Sequence, residues 1–312
     1  MSAPPSRVFV TRALPGEALE RLTAAGHDVT VHPGDLPPTR AELLAGVADA
    51  HGLLCLLTDR VDAELLAAAP ELRAIANYAV GVDNIDLAAA DTRGIPVGAT
   101  PGVLTDATAD LTLALILAAA RRLPEAQAAV RDGGWRTWEP RGWLGLELRG
   151  ARLAIVGFGR IGQAVAERAA AFGMTIEPVG RGDDLHAALG RADVVSVHTP
   201  LTDATRHLID AEALAAMRPT AILVNTARGP IVDQVALAAA LRAGTIGAAA
   251  LDVTDPEPLP ADDPLLDAPN LIVLPHVGSA TVATRERMAA MAVDNLLAAL
   301  AGAPMPHPAA RR

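Results

Sequence analysis

The chain has 312 residues, 51% of them hydrophobic and 20% charged, which suits one or two well-cored globular domains at roughly 150 residues each. Its formal net charge of −10 argues against nucleic acid and anionic membranes as partners. All 26 basic residues are arginine, which excludes a Schiff-base lysine, a P-loop lysine and a Tyr-Lys reductase pair, and the lone Cys55 excludes a disulfide within the chain.

Aromatics are only 2% of the chain, so the core must be built from Ala, Leu, Val and Ile. The start, Met1 to Arg7, lacks the apolar stretch of a signal peptide. Leu111 to Ala120 is apolar but too short for a bilayer, which takes ~20 residues. These features point to a soluble cytoplasmic protein. The eight histidines show no His-x-x-x-His or His-Glu-x-x-His spacing, so no metal site is expected.

Taken in order, strand and helix patterns alternate. Arg7–Thr11 reads as a strand, Pro15–Ala25 as a helix stopped by Gly26, and Asp28–His32 as a strand. Thr39–Gly46 reads as a helix, Gly52–Leu57 as a strand holding a buried Cys55, Asp62–Ala69 as a helix and Leu72–Ala76 as a strand. A long apolar helix is expected over Leu104–Leu123, followed by a Gly- and Trp-rich arm from Arg131 to Gly150. A second α/β unit begins at Ala151, with strands at Arg152–Val156, Thr175–Val179, Val194–His198, Ala221–Asn225, Ala248–Val253 and Leu271–Leu274. The last helix runs from Thr281 to Leu300. Two parallel-sheet α/β units joined by two long helices imply two lobes with a cleft between them.

The most specific signal follows the first strand of the second unit. Gly157-Phe158-Gly159-Arg160-Ile161-Gly162 stands between that strand and a helix opened by Gln163-Ala164-Val165-Ala166. Strand, Gly-x-Gly-x-x-Gly, helix is the context of a dinucleotide fingerprint. The first glycine allows the tight turn, the second lets backbone approach a pyrophosphate, and the third lets helix and strand pack closely. The helix N-terminus then offers free N–H groups to phosphate.

Ligands of open α/β sheets sit beyond the carboxyl ends of the strands. Three charged residues are found there: Arg228, Glu257 and His276. Reduction of a ketone by hydride leaves charge on oxygen that a histidine can protonate. A nearby carboxylate favours the imidazolium form, and an arginine can bind a substrate carboxylate by two parallel bonds. Taken singly, Arg228 and Glu257 read as solvated loop charges and His276 as a capping residue; their joint placement raises all three. His198 also ends a strand but has no neighbouring acid, and reads as packing or a cofactor-edge contact.

These segments resemble the D-2-hydroxyacid dehydrogenase family over nearly the whole chain. The matching stretches are Asn77–Asp83, Val156–Gly162, Asn225–Gly229, Leu251–Val253 through Glu257-Pro258, and Pro275–Thr281. Within the family the likeness is strongest to glyoxylate/hydroxypyruvate reductases, carried by Val103–Asp106, Arg121–Ala126, Gly133–Trp135, Asp252–Thr254 with Pro256–Pro260, and Asn295–Ala298.

The resemblance implies a Rossmann dinucleotide-binding domain over 102–282, with dimerisation helix and arm, and a flavodoxin-like substrate-binding domain from 1–101 plus 283–312. Arg228, Glu257 and His276 match the family's catalytic arginine, glutamate and histidine. Val80 and Gly81 match the backbone that receives the substrate carboxylate. Thr108, Thr199, Pro200, Thr226, Ala227, Asp252 and Gly278 join the glycine turn and His276 as implied cofactor contacts. Trp138 matches a residue that reaches into the neighbouring subunit's active site of a homodimer, whereas Trp135 and Trp143 also read as interface packing. The implied substrate is a small 2-oxo acid.

Cofactor choice is read from the end of the second Rossmann strand, where an acid would bind a ribose 2′-OH. That position is Gly180, followed by Arg181, which favours NADP(H) over NAD(H); the alternative is that Asp183 or Asp184 serves the ribose. Two features depart from the family: Asp110 stands where Glu is frequent, and Arg181–Gly190 is shorter than usual. A rival function is a dinucleotide-sensing, corepressor-like binding protein, and phosphoglycerate, phosphonate or aromatic 2-hydroxy acids are alternative substrates.

Overall fold

Every strand pair in the described residues is parallel, and the chain builds two sheets from them. The computed structural model describes residues 5–309, so Met1 to Pro4, part of the stretch read above for a signal peptide, lie outside them. Two compact units emerge. One runs to Leu104 and resumes at Ala280; the other is Thr105–Ser279. These limits differ by a few residues from the 101/102 and 282/283 divisions read from sequence.

The first unit contains β1 (Arg7–Val10), α1 (Glu20–Ala24), β2 (Asp28–Val31), α2 (Arg40–Val47), β3 (Gly52–Cys55), α3 (Ala63–Ala68), β4 (Ala74–Asn77), α4 (Leu87–Thr92) and β5 (Val97–Gly98). The second contains α5 (Thr105–Ala120), α6 (Leu123–Arg131), β6 (Arg152–Val156), α7 (Arg160–Ala171), β7 (Thr175–Val179), α8 (Leu185–Arg191), β8 (Val194–Val197), α9 (Ala211–Ala216), β9 (Ile222–Asn225), α10 (Gln234–Ala243), β10 (Ala248–Leu251) and β11 (Leu271–Val273). The chain then returns to the first unit as α11 (Val282–Leu300).

The first sheet has the order β2-β1-β3-β4-β5, the flavodoxin-like arrangement. β3 and β4 are buried along their whole length because helices cover both faces. One face packs Leu43, Val47, Leu65 and Leu66; the other packs Met288, Ala292 and Leu296 of α11. Cys55 is fully buried, and burial raises its thiol well above the ordinary range. As the composition requires, aliphatic side chains fill the cores, and Phe9 and Tyr78 are the buried aromatics among the described residues.

The second sheet has the order β11-β10-β9-β8-β6-β7, doubly wound about β6. Its order reverses between β6 and β8, where a ligand crevice is expected. A six-stranded Rossmann sheet usually carries a third strand outside the second. Here the short segment after β7 passes directly through α8 to β8, so β7 is the edge. That edge tolerates Pro178, which has no N–H to donate, and it carries Glu177, ion-paired to Arg152 and Arg191.

Local chemistry explains where elements differ from the sequence reading. α1 is confined to Glu20–Ala24 because Gly16 sits at φ +74°, outside helical space. The expected helix over Leu104–Leu123 is two helices. Arg122 turns at φ +54°, and Pro124, which cannot continue a helix but suits its first turn, starts α6. α7 begins at Arg160 rather than Gln163, which places Gly162 in its first turn. The short α4 and β5 carried no periodicity long enough to read. Several strands end one or two residues earlier than their apolar runs suggest.

Candidate active site

Three neighbouring strands deliver the charged side chains. β9, β10 and β11 lie side by side, so the loops after them leave one edge of the sheet. Arg228 follows β9, Glu257 follows β10 and His276 follows β11. The last two are in direct contact: His276 Nδ1 lies 2.9 Å from Glu257 Oε2. Their side chains are 26% and 27% exposed, so the pair is sheltered yet reachable.

His276 adopts φ +54°, a left-handed conformation uncommon outside glycine. Asp252, 1% exposed, enforces it. Its carboxylate accepts the N–H groups of Val277 and Gly278, both at 2.7 Å, and its carbonyl accepts the His276 N–H at 2.9 Å. Burial raises the Asp252 carboxyl above the ordinary range, opposed by those two N–H donors and by His276. Glu257 is aimed by a similar device. Its Oε1 accepts the Thr254 N–H at 3.0 Å, which leaves Oε2 for the histidine.

Asn225, fully buried, brackets the Arg228 loop. Its Nδ2 donates to the Arg228 carbonyl at 2.9 Å, and its Oδ1 accepts the Ala227 N–H at 3.0 Å. Gly229 allows this loop to lie against the one bearing Glu257: a Cβ there would stand 1.9 Å from the Thr254 carbonyl oxygen. Arg228 is half-buried, and its Nη1 donates to the Ala227 carbonyl at 2.8 Å. The sequence did not single out Asn225 or Thr254, which act by holding main chain.

The glycine turn stands after β6 on the same sheet. Gly157 has φ +96°, and a Cβ there would strike the His198–Thr199 peptide at 2.7 Å. A Cβ on Gly162 would come within 2.4 Å of the Gly157 carbonyl, so helix and turn touch. Gly159 is different: it caps α7 and faces open space. An open glycine at the N-terminus of a twelve-residue helix fits the close approach of a dinucleotide phosphate. Arg160 and Ile161 begin that helix, and Phe158 is 38% exposed beside it. Thr108, Thr226 and Gly278 are linked: Thr108 Oγ1 donates to the Gly278 carbonyl at 3.3 Å, while Thr112 Oγ1 donates to the Thr108 carbonyl and meets Thr226 Oγ1 at 2.9 Å. His198 packs on Ser196 Oγ at 2.8 Å; burial pushes it down to about 4, so it is neutral near pH 7.

A sequence model described as "D-isomer specific 2-hydroxyacid dehydrogenase, NAD binding domain" matches residues 113–278. The chain belongs to this family. A glyoxylate reductase of Aeropyrum pernix is 50% identical to it over 318 aligned residues, covering 96% of this chain and 95% of that one. A crystal structure of a Thermus thermophilus protein superposes with a TM-score of 0.93 at 54% identity, over 97% of this chain and all of the other. An NADPH-dependent glyoxylate/hydroxypyruvate reductase of Sinorhizobium meliloti, solved with NADP and malonate, gives a TM-score of 0.85 at 34% identity, over 99% of each chain.

The remaining residues of this dehydrogenase family member fall as follows. Gly180 follows β7, and its N–H is taken by Asp183 Oδ2 at 2.7 Å; Arg181 is exposed, and Asp184 caps α8. An acid therefore does stand beside the Gly180 position. Thr199 and Pro200 follow β8 beside Gly157, and the Thr199 hydroxyl is buried with no partner among the described residues. Val80 and Gly81 lie in the first unit, in the turn after β4, half-buried. Trp138 is 78% exposed on the arm. No helix of the described residues is long and apolar enough to cross a membrane.

Proposed function

We propose that this enzyme reduces small 2-oxo acids, glyoxylate and hydroxypyruvate, to their D-2-hydroxy acids, with His276 as proton donor. The observation that carries the reading is the His276–Glu257 bond on the strand-end edge that also bears Arg228 and the glycine turn. The names of the relatives support the same substrates. A bound reduced nicotinamide supplies the hydride. The turn Gly157–Gly162 and the α7 N-terminus hold its phosphates, with Thr108, Thr199, Pro200, Thr226, Ala227, Asp252 and Gly278 around the remainder. With Nδ1 bonded to Glu257, His276 donates from Nε2 to the substrate oxygen, and Glu257 stabilises the imidazolium before transfer. Arg228 binds the substrate carboxylate and polarises the adjacent carbonyl. In the first unit, the backbone of Val80 and Gly81 is assigned to carboxylate binding. Mixing purified enzyme, NADPH and glyoxylate should cause a loss of nicotinamide absorbance that scales with enzyme; binding of NADPH without turnover across a 2-oxo acid panel would identify a dinucleotide sensor instead.

NADP(H) is the favoured cofactor, because the Asp183 carboxylate beside Gly180 is engaged by the Gly180 N–H while the exposed Arg181 can reach a 2′-phosphate. The expected result is a higher kcat/KM with NADPH than with NADH, and a selective loss with NADPH in Arg181→Ala. A higher kcat/KM with NADH would assign the ribose to Asp183.

The proposal includes a cytoplasmic homodimer. Leu123, Val130, Trp135, Trp138, Trp143 and Leu144 are exposed on α6 and the arm, an apolar concentration that a second copy would cover. Trp138 then limits the partner's pocket by size, a specificity achieved through clash. Trp138→Ala should relax selectivity toward bulkier 2-oxo acids while sedimentation still reports a dimer. An unchanged substrate ranking, or a monomeric wild type, would remove the arm from the site.

A further inference from the structure

We propose that Asn77 is a positioning residue for the substrate: with Asn84 it fixes the turn that presents the Val80 and Gly81 N–H groups to the carboxylate. This rests on the proposed function, which assigns the carboxylate to that backbone.

Five polar side chains gather where β1, β3 and β4 end in the first unit. Asn77 closes β4 and is fully buried. Its Nδ2 donates to the Gly81 carbonyl at 2.8 Å and to Asn84 Oδ1 at 3.1 Å. Asn84 Nδ2 donates in turn to the carbonyls of Leu56 and Asp59, both at 3.0 Å. Asp59, 3% exposed, accepts the Thr11 hydroxyl at 2.5 Å and the Leu56 N–H at 2.7 Å. The protonated Cys55 Sγ donates to Asn77 Oδ1 at 3.5 Å.

Buried polar side chains are costly unless paired, and a strand can end without them. Here the whole network converges on one turn. The turn is tied at its margins as well. The Tyr78 hydroxyl donates to the Arg285 carbonyl at 2.8 Å, the Ala79 carbonyl accepts the Thr100 N–H at 2.9 Å, and the Asn84 carbonyl accepts the Val61 N–H at 2.9 Å. Between these ties, the N–H groups of Val80 and Gly81 donate to no acceptor among the described residues. A rigidly held turn with two successive free N–H groups suits an anion. Asn77 bonds the Gly81 carbonyl, in the peptide that follows these two N–H groups, so it anchors the end of the turn that carries them.

The test uses Asn77→Ala and Asn84→Ala in the full-length enzyme, with KM and kcat for glyoxylate and Kd for NADPH measured separately. The expected result is a rise in KM of about ten-fold or more, since misplacement of a binding group is costly out of proportion to the bond lost. The NADPH Kd should stay within about two-fold, because its contacts lie in the other unit. A merely structural role would lower the active fraction, reducing kcat per total protein and leaving KM unmoved. If Asn77→Ala does not fold, the half-buried Asn84 carries the test. Glycolaldehyde, which lacks the carboxylate, separates the two assignments. Wild-type enzyme that reduces it as efficiently as glyoxylate overturns the carboxylate assignment itself. A wild-type preference for glyoxylate, with KM unchanged in every folded variant, overturns only the positioning role.

Discussion

His276→Ala should lower kcat by about 10²–10⁴-fold, the range that a well-placed proton donor contributes. The two carboxyl groups bonded around the histidine are both engaged: Glu257 by His276 and the Thr254 N–H, and Asp252 by the N–H groups of Val277 and Gly278. Dinucleotide affinity should hold, because the phosphates are assigned to the turn Gly157–Gly162 and the N-terminus of α7 rather than to the histidine loop. Removing the imidazole leaves the Asp252 bonds to the following N–H groups in place, so the loop should keep its shape. Glu257→Gln should give a smaller loss, since a neutral amide keeps a partner for Nδ1 but not the charge that pairs with imidazolium. Steady-state kinetics with a parallel nicotinamide fluorescence titration checks both. Wild-type turnover in His276→Ala would remove the histidine from the mechanism, and a matched loss of dinucleotide affinity would reassign it to cofactor binding.

The residues proposed for the chemistry were legible because they stand at strand ends, and the strands were legible because they are buried. Arg152–Val156 and Thr175–Val179 match the observed β6 and β7 residue for residue, as each is bounded by glycine or by a helix end. The glycine turn was readable from its flanks, and Arg228, Glu257 and His276 from the residues after β9, β10 and β11. The residues that aim them were not. Asn225 and Asn77 each close a strand, and a lone asparagine there reads only as a stop signal. Their partners, the carbonyls of Arg228 and Gly81, are fixed by how the turn folds back. Asp183 shows the same limit: its carboxylate reaches back to the Gly180 N–H, a local turn bond that composition at a single position does not reveal. The missing third strand of the second sheet was visible as a short segment, but its consequence, an edge at β7, needed the sheet order.

Arg228→Lys should raise KM for the oxo acid by about 10–10²-fold and lower kcat, although the charge is retained. Hydrogen bonds to ionised groups contribute about 1.5–3 kcal/mol, and each 1.4 kcal/mol is about ten-fold. A lysine keeps one point charge but loses the planar fork that meets both carboxylate oxygens at once. The backbone of this loop is held against any compensating shift, because buried Asn225 clamps it on both sides and Gly229 lies against the Thr254 carbonyl with no room to move. The ammonium must therefore act from the arginine's own anchor point with a shorter, single-pronged reach. If the guanidinium also polarises the reacting carbonyl, kcat falls with the affinity, because that contact strengthens as charge develops on the oxygen. Arg228→Ala should be worse in both terms, and free guanidinium should restore part of its activity, which it would not do for Arg228→Lys, where the site is filled. The decisive comparison is with the cofactor: dinucleotide Kd should stay within about two-fold in both variants, since the guanidinium is assigned to the substrate and the Asn225 bonds that hold the loop main chain are untouched. A fall in dinucleotide affinity with an unchanged KM for the oxo acid would make Arg228 a cofactor residue and remove it from substrate binding.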